Sequence, residues 1–188
     1  MDHPDSDTTP DTPSDLPQFD GQIRVHHSAQ VTFFAPSDLC GAGGMHQECI
    51  RSTPSWHGHL RCDTVFVVLD DSLPGMEGMV VARVHLFISF CYRRVDYSCA
   101  LVNWFVRDDD ERKHNTRLWT VSLEEHEGQP TFDIIDVRMI ARAAHLIPIF
   151  GSDPIPSNIR HYNSLDHYKY FFVNAFIDYH VYKLLTDA

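Results

Sequence analysis

The sequence predicts a mainly β protein of the α+β class, in which an antiparallel sheet curls into a partly open barrel like that of SH3 and bromo-adjacent-homology modules. Three observations carry this prediction. Residues 79–106 alternate apolar and mixed side chains with a period of two, which is typical of long strands with one face in the core. Shorter strand-like runs recur between turn signals along most of the chain. Near the C-terminus the apolar spacing changes to three and four residues, which predicts a long helix packed on the sheet.

The stretch from Met79 to Val106 is predicted to be a β-hairpin of two long strands. Its turn is centred on Arg93 and Arg94, and because arginine is a poor residue for the positive φ angles of a two-residue turn, a longer loop is expected. The expected register is the same for either loop. It pairs Phe90–Tyr97, Ile88–Cys99, Leu86–Leu101 and Ala82–Phe105 on the core face, and Arg83–Trp104, Phe87–Ala100 and His85–Val102 on the other face.

Five shorter runs are predicted to be strands, namely Gln22–His26, Gln30–Phe34, Asp63–Leu69, Leu118–Leu123 and Thr131–Val137. Arg138–Leu146 fits a short helix that ends before Pro148. Ser164 is the expected N-cap of the longest helix, Leu165–Leu185. This helix is apolar most of the way round, so it is expected either to pack deeply on the sheet or to contact a partner.

Composition divides the chain into two parts. Residues 1–20 hold six Asp, four Pro and no Lys or Arg, which predicts a disordered acidic leader. Residues 22–188 are predicted to form a single globular domain. Outside the leader, 20 acidic residues stand against 15 basic ones, so the domain lacks the electrostatic footprint of a protein that binds nucleic acid through its phosphates.

Cysteine usage and hydropathy bear on the compartment. The chain has five cysteines and no export signal at its N-terminus, which predicts reduced thiols in a soluble intracellular protein, nuclear or cytoplasmic. The apolar runs are all much shorter than the ~20 residues that cross a bilayer, so no membrane partner is expected.

Cysteine and histidine residues crowd the segment from residue 40 to residue 62. Its members are Cys40, His46, Cys49, His57, His59 and Cys62. Zinc sites usually bring ligands in tight pairs such as C-x₂₋₄-C, whereas these cysteines are separated by eight and twelve residues. We therefore expect no metal and no other cofactor, with Cys40, His46, Cys49 and Cys62 as weak candidate ligands.

The three tryptophans and an acidic loop form the other candidate site. Trp56, Trp104 and Trp119, together with Asp109 and Asp110 of the loop, would cradle a cationic side chain through cation–π attraction. The competing interpretation is that all three rings pack in the core or at its rim. In that case the acidic loop is a solvated hairpin tip, since adjacent Asp side chains diverge in an extended loop.

A set of motifs suggests a family. They are FFAPSDLCGAGG, MHQECIRSTPSWHG, CDTVFV, PGMEGMVVARVHLFISF, YRRVDYSCALVNWF, RAAHLIPIFG and YFFVNAFIDYHVYKLL. As a set, they resemble the C-terminal region of basidiomycete proteins associated with Plavaka-group DNA transposons, over about residues 22–188. The resemblance implies an element-derived context and no catalytic residues, since this region carries no assigned activity. Family members have Ser and Arg where Cys40 and Cys49 stand here, which weakens the zinc hypothesis further.

Three hypotheses about function follow. The favoured one is a non-catalytic protein- or chromatin-interaction module, with a protein partner on the C-terminal helix or on the hairpin face. The second is a metal-dependent hydrolase or nuclease that uses the Cys/His cluster or the acidic loop, although no motif fixes a base, a nucleophile or metal, and a stabiliser in one pocket. The third is a domesticated remnant with no specific activity.

Overall fold

The structure is a computed structural model that describes residues 18–36, 42–108, 113–152 and 154–186. Strands take 52% of the described residues and helices 13%, which confirms the mainly β prediction. The strands in these ranges are β1 Arg24–His26, β2 Ser28–Phe34, β3 Met45–Trp56, β4 His59–Cys62, β5 Thr64–Val68, β6 Met79–Tyr92, β7 Val95–Arg107, β8 Thr120–Leu123, β9 Glu125–His126, β10 Gln129–Pro130, β11 Phe132–Asp136, β12 Ile140–Ala143, β13 Leu146–Pro148 and β14 Tyr170–Val173. The α-helices are α1 Ser164–His167 and α2 Tyr179–Thr186, and short 3₁₀ turns occur at Ala42–Gly44, Gly75–Glu77 and Val137–Met139.

A strongly curled antiparallel sheet forms a half-barrel, as predicted for the fold class. Its strand order is β12-β5-β6-β7-β8-β14-β13, with β1 added along β6 and β11 added along β7. A separate small sheet, β2-β3-β4, lies beside it, and β9 and β10 form a two-stranded ribbon. The long strand β6 pairs with β5 along its first half and with β1 near its end, so it connects most of the barrel wall.

The central hairpin has a tighter turn than expected. Tyr92 pairs with Val95, so the loop contains two residues and the expectation of a longer loop is wrong. Arg93 and Arg94 both adopt positive φ, at 49° and 65°. This is the backbone of a two-residue turn whose twist matches that of the flanking strands. The hairpin therefore holds two arginines in a conformation that glycine and asparagine adopt more easily.

A β-bulge near the middle of β6 changes the predicted register. Pairing from the turn up to Leu86 agrees with the prediction, but an extra residue at His85 then shifts every later pair by one. Arg83 consequently faces Asn103, and Ala82 faces Trp104. The predicted pairs Arg83–Trp104, His85–Val102 and Ala82–Phe105 are wrong. Across the bulge, the β6 residues that face the second core change from the even positions Ala82 and Val84 to the odd position Phe87.

Two apolar cores lie on the two faces of the main sheet. The first core consists of Phe66, Met76, Met79, Val81, Phe105, Leu118, Val121, Ala144, Phe171, Val173, Ala175, Val181 and Leu185. The second core consists of Ile50, Val65, Val67, Ala82, Val84, Phe87, Ala100, Val102, Ile135 and Ile140. Neighbouring strand residues such as Val81 and Ala82 point to opposite faces, which is why both sides of the sheet are buried.

Both predicted helices differ from the structure in position or length. The predicted helix over Arg138–Leu146 is wrong, because β12 pairs with the edge of β5 there. The helix over Leu165–Leu185 is wrong in extent: β14 interrupts it and pairs with β8 and β13. A short apolar run fits a buried strand as well as a helix, and only the available sheet edges decide between them. Two short helices remain from the predicted long helix: α1 begins at Ser164, so its N-cap is Asn163 and the prediction of Ser164 as the cap is wrong, and α2 packs on the first core.

Two further expectations concern the leader and the membrane. Most of the predicted leader, residues 1–20, lies outside the described residues; residues 18–20 are exposed. None of the helices in the described ranges has the length and apolar character needed to span a bilayer.

Candidate binding cavity

A cavity of about 760 Å³ lies between the small sheet and one end of the half-barrel. Its walls come from β3, β4, β5, β6, β12 and β13, from the start of α1 and from the residues before α2. A volume of this size lies within the range of roughly 300–1,000 Å³ that is usual for ligand pockets. Because the small sheet and the barrel both contribute, the cavity depends on how the two sheets are joined.

Arg83, in the middle of β6, is a buried cation at the cavity. Only 7% of the residue is exposed. Its Nη1 donates to Asp166 Oδ1 at 2.5 Å, and Asp166, carried by α1, is itself half exposed. The Nε–H group is buried and has no acceptor among the described residues. The guanidinium is therefore paired at one corner only, which is unusual for a buried charge.

Arg142, on β12, is the second buried cation and is paired more completely. Its Nη2 donates to Glu48 Oε1 at 2.6 Å and to Asp178 Oδ2 at 2.8 Å, and its Nη1 donates to Asp178 Oδ1 at 3.3 Å. Its guanidinium carbon also lies 4.2 Å from the centre of the Phe33 ring. The other Glu48 oxygen accepts from the Ala143 N–H. Arg142 therefore ties β12, the small sheet and the segment before α2 together.

Asp178 has two roles in this arrangement. It accepts from the Val181 N–H at 2.8 Å, so it caps α2, and it pairs with Arg142. Burial alone would raise the pKa of Asp178, but the hydrogen bonds from Val181 and Arg142 outweigh it and hold the pKa below its usual value. The position of α2 is thereby coupled to the wall of the cavity.

An aromatic platform stands at the cavity on the β3–β4 hairpin. Trp56 is 38% exposed, and the guanidinium carbons of Arg51 and Arg61 lie 4.2 and 5.3 Å from its ring centre. Asp63 accepts from Arg61 Nε at 2.7 Å and from the Arg51 backbone N–H at 2.9 Å. The Trp56 ring of this platform is therefore in cation–π contact with two arginine side chains.

Stacked rings border the same cavity farther along β4. His59 and Tyr162 lie parallel with ring centres 3.8 Å apart. Both residues line the cavity. This contact joins β4 to the loop before α1.

Cys62, the buried one of two cysteines at the cavity, is a poor nucleophile. Cys62 is buried, and that burial raises the pKa of its thiol, although Arg83 and a hydrogen bond with Ser52 oppose the shift. A thiol with a raised pKa stays protonated near neutral pH, and the thiolate is the reactive form. Cys49, which also lines the cavity, is exposed.

The structure does not bring the three predicted tryptophans together. Trp56 lines the cavity, Trp104 packs on the second core, and Trp119 packs on the first core, on the opposite face of the sheet. The Trp119 ring also has the Arg107 guanidinium 5.2 Å from its centre. Asp109 and Asp110 lie outside the described residues.

The candidate metal ligands are similarly divided. Cys40 lies outside the described residues, and the His46 ring packs against Phe33 with ring centres 5.3 Å apart. Cys49 and Cys62 both line the cavity. In the part of the chain that the structure describes, no group of three or more His, Cys, Asp or Glu side chains is arranged to hold a metal ion.

The ion pairs at the cavity were missed in the sequence. Arg142 and Asp178 both lie in predicted helices, and no local pattern indicates that their side chains meet. Arg83 gave a usable signal, because a cation inside an apolar strand run has to be paired when it is buried. Its partner Asp166 lies in the predicted long helix, and no local pattern links the two residues.

Comparison with known proteins does not add a relative: no protein-family model, no curated protein and no solved structure matches this chain.

Proposed function

We propose that this protein is a non-catalytic interaction module that binds a segment of another protein in the cavity between its two sheets. The observation that carries the proposal is an open cavity of about 760 Å³ with two buried arginines in its walls and an exposed aromatic platform beside them. Tryptophan, tyrosine and arginine are the residues most enriched at protein interfaces. All three occur at this cavity.

The chemistry of the cavity favours binding over catalysis. An enzyme needs a base, a nucleophile or metal, and a stabilising group that converge on one point. The Cys62 thiol has a raised pKa, and the carboxylates of Glu48 and Asp178 are engaged with a buried arginine. The two carboxylates stabilise the fold through Arg142, so we assign them a structural role around the ligand and no catalytic one.

Peptide selection tests the proposal. A random-peptide display library is selected against the full chain, and the selected peptides are then titrated by calorimetry. We expect Trp56→Ala to weaken their binding about tenfold or more, as loss of an aromatic anchor does. Phe132→Ala is the matched control, because Phe132 is an exposed ring on β11 that does not line the cavity.

Two results would contradict the proposal. One is that no selected peptide binds the purified chain. The other is that peptides bind equally well to the wild type and to Trp56→Ala. Thermal unfolding of both variants shows whether a loss of binding is a loss of the fold.

The cellular context forms a second part of the proposal and rests on the sequence resemblance. We place the module in the nucleus or cytoplasm of a fungal cell, associated with a protein of a transposable element and with chromatin proteins among its candidate partners. Fractionation of basidiomycete cells that express the tagged chain tests this. Recovery with nuclei or cytosol is expected, and recovery in the culture medium would contradict it.

A further inference from the structure

We infer that the cavity recognises a carboxylate of its protein partner, either an acidic side chain or a C-terminus, through the Nε–Nη2 edge of Arg83. This inference rests on the proposed function and names the chemistry that the partner must bring. A guanidinium offers five N–H donors in a rigid fork that matches the two oxygens of a carboxylate.

The Nε–Nη2 edge of Arg83 has no hydrogen-bond acceptor among the described residues. The single hydrogen bond of Arg83 among the described residues runs from Nη1 to Asp166. The buried Nε has no acceptor there. Nε and Nη2 form the side of the guanidinium that donates two parallel hydrogen bonds. A buried charged donor without a partner costs free energy, so an incoming carboxylate forms its bonds at a site already desolvated.

Arg142 is the internal comparison. It is buried to a similar degree and lines the same cavity, but both of its Nη atoms donate to Asp178 or Glu48. Its end-on edge is therefore occupied by the chain's own carboxylates. The Nε of Arg142 is also buried without an acceptor among the described residues, but Nη2, the other donor of that edge, bonds Glu48 and Asp178. Arg83 differs in that its Nη2 makes no hydrogen bond within the described residues.

Two aspartates, Asp63 and Asp166, lie near Arg83. Arg83, Asp166 and Asp63 all lie close enough to the Cys62 thiol to influence its pKa. Asp63 is shared between the Arg61 side chain and the Arg51 backbone, and the Arg51 side chain has no carboxylate partner among the described residues. Arg51 does not line the cavity, whereas Arg61 and Arg83 do, and each of these two has one aspartate partner.

The same surroundings favour a monoanion over a phosphate. A phosphate carries up to two charges and would bring them close to Asp166 and Asp63. A carboxylate brings a single negative charge, so it meets less repulsion from these two aspartates. The neighbouring neutral groups, the Cys62 thiol and the Ser52 hydroxyl, add no repulsion.

Nuclear magnetic resonance of the full chain tests the inference with two probes, N-acetylglycine and inorganic phosphate, titrated at constant ionic strength. The Nε–H resonance of Arg83 is expected to move downfield in a saturable, millimolar titration with N-acetylglycine, while that of Arg142 stays in place. Phosphate is expected to bind at least several-fold more weakly. Saturation by phosphate at lower concentration than by N-acetylglycine, or no saturable shift with either probe, would overturn the inference.

Substitutions at Arg83 provide a second test of the inference. Arg83→Lys keeps the charge and loses the fork, so the affinity for N-acetylglycine should fall about tenfold, and Arg83→Met should remove saturable binding. Arg138→Met is the matched control, because Arg138 is also paired with an aspartate, Asp136, but does not line the cavity. Unchanged affinity in Arg83→Lys would overturn the inference even if Arg83→Met fails to fold.

The outcomes also separate the two proposals. If selected peptides bind in the cavity but bind Arg83→Lys as tightly as the wild type, the carboxylate inference fails and the interaction module stands. If N-acetylglycine saturates at Arg83 but no peptide binds, the interaction module fails and the site takes small carboxylates.

Discussion

At the residue scale, the β-bulge places His85 in an environment that disfavours a charged imidazole. It is the extra residue of the bulge in β6, and its ring meets that of Phe132 edge-on at 5.1 Å. Its Nε2 is buried without a partner among the described residues. Burial lowers the pKa of His85, and the adjacent Arg83 lowers it further, with a partial opposing effect from Asp166. The imidazole is thus held neutral where a charge would be costly.

This environment predicts a pH dependence of stability. Because the folded-state pKa of His85 lies below that of the unfolded chain, its neutral form contributes stability above pH ~6.5, and that contribution is lost as the pH falls towards the lower folded-state pKa. In His85→Gln this component is absent. Urea unfolding at pH 7.5 and 5.5 should therefore show a smaller loss of unfolding free energy for the variant than for the wild type. An equal loss in both proteins would contradict this account.

At the element scale, the central hairpin forms although its two turn arginines have an unfavourable backbone conformation. The alternation of β6 and β7 fixes the pairing of Phe90 with Tyr97, whose rings stack 5.2 Å apart. The two turn arginines must then adopt positive φ, which costs a residue with a Cβ roughly 1–2 kcal/mol. Strand pairing along more than ten residues outweighs that local cost.

A better turn should therefore stabilise the protein. Replacing Arg93 by Asn and Arg94 by Gly supplies the residues that this two-residue turn prefers, and we expect a gain of about 1 kcal/mol in unfolding free energy. The double variant Arg93→Ala, Arg94→Ala removes the same charges but keeps the strain, so it should give no such gain. Urea unfolding measures both. A gain in the alanine variant alone would show that charge repulsion, and not backbone strain, limits the turn.

Strand β14 shows the opposite outcome, in which pairing overrides a helical pattern. Tyr170–Val173 lies within a stretch whose apolar residues recur at helical spacing, yet it pairs with both β8 and β13. Phe171 and Val173 are buried in the first core, while Phe172 packs partly against it. Aromatic and β-branched residues fit a pleated surface well, so the pairing is also locally acceptable.

At the scale of the whole molecule, one arginine joins three parts that are distant in sequence. Arg142 lies on the edge strand β12, Glu48 in the small sheet and Asp178 at the start of α2. The small sheet contributes Ile50 to the second core, so the ion pairs add a polar link to an apolar one. The cavity exists because these parts are held together.

Weakening this link should loosen the small sheet. Glu48→Gln removes one of the two carboxylates around Arg142, and we expect it to lower the unfolding free energy by about 2 kcal/mol. Glu125→Gln, an exposed residue of β9, should change it by less than about 0.5 kcal/mol. Hydrogen exchange should show faster exchange of β3 amides in Glu48→Gln. Wild-type stability together with unchanged exchange would contradict the proposed role of this ion pair.

Several features of the fold were predictable because they depend on local pattern. The alternation in Met79–Val106 determined the hairpin, and the turn-separated runs determined a curled, mainly β sheet. The pairing of Ile88 with Cys99 followed from symmetry about the turn. The bulge at His85 did not, because an extra residue leaves the alternation of types in the sequence unchanged and is selected by packing on both faces.

The sequence by itself determined the fold class, the hairpin and the acidic balance, since these follow from side-chain period and charge. Only the tertiary structure decided which apolar runs became strands, since the open edges of β5 and β8 accepted β12 and β14. It also decided the site: Trp56, Arg83 and Arg142 are far apart in the chain and meet at one cavity because two sheets pack together. The pairing of buried charges is a long-range property, and a local pattern does not contain it.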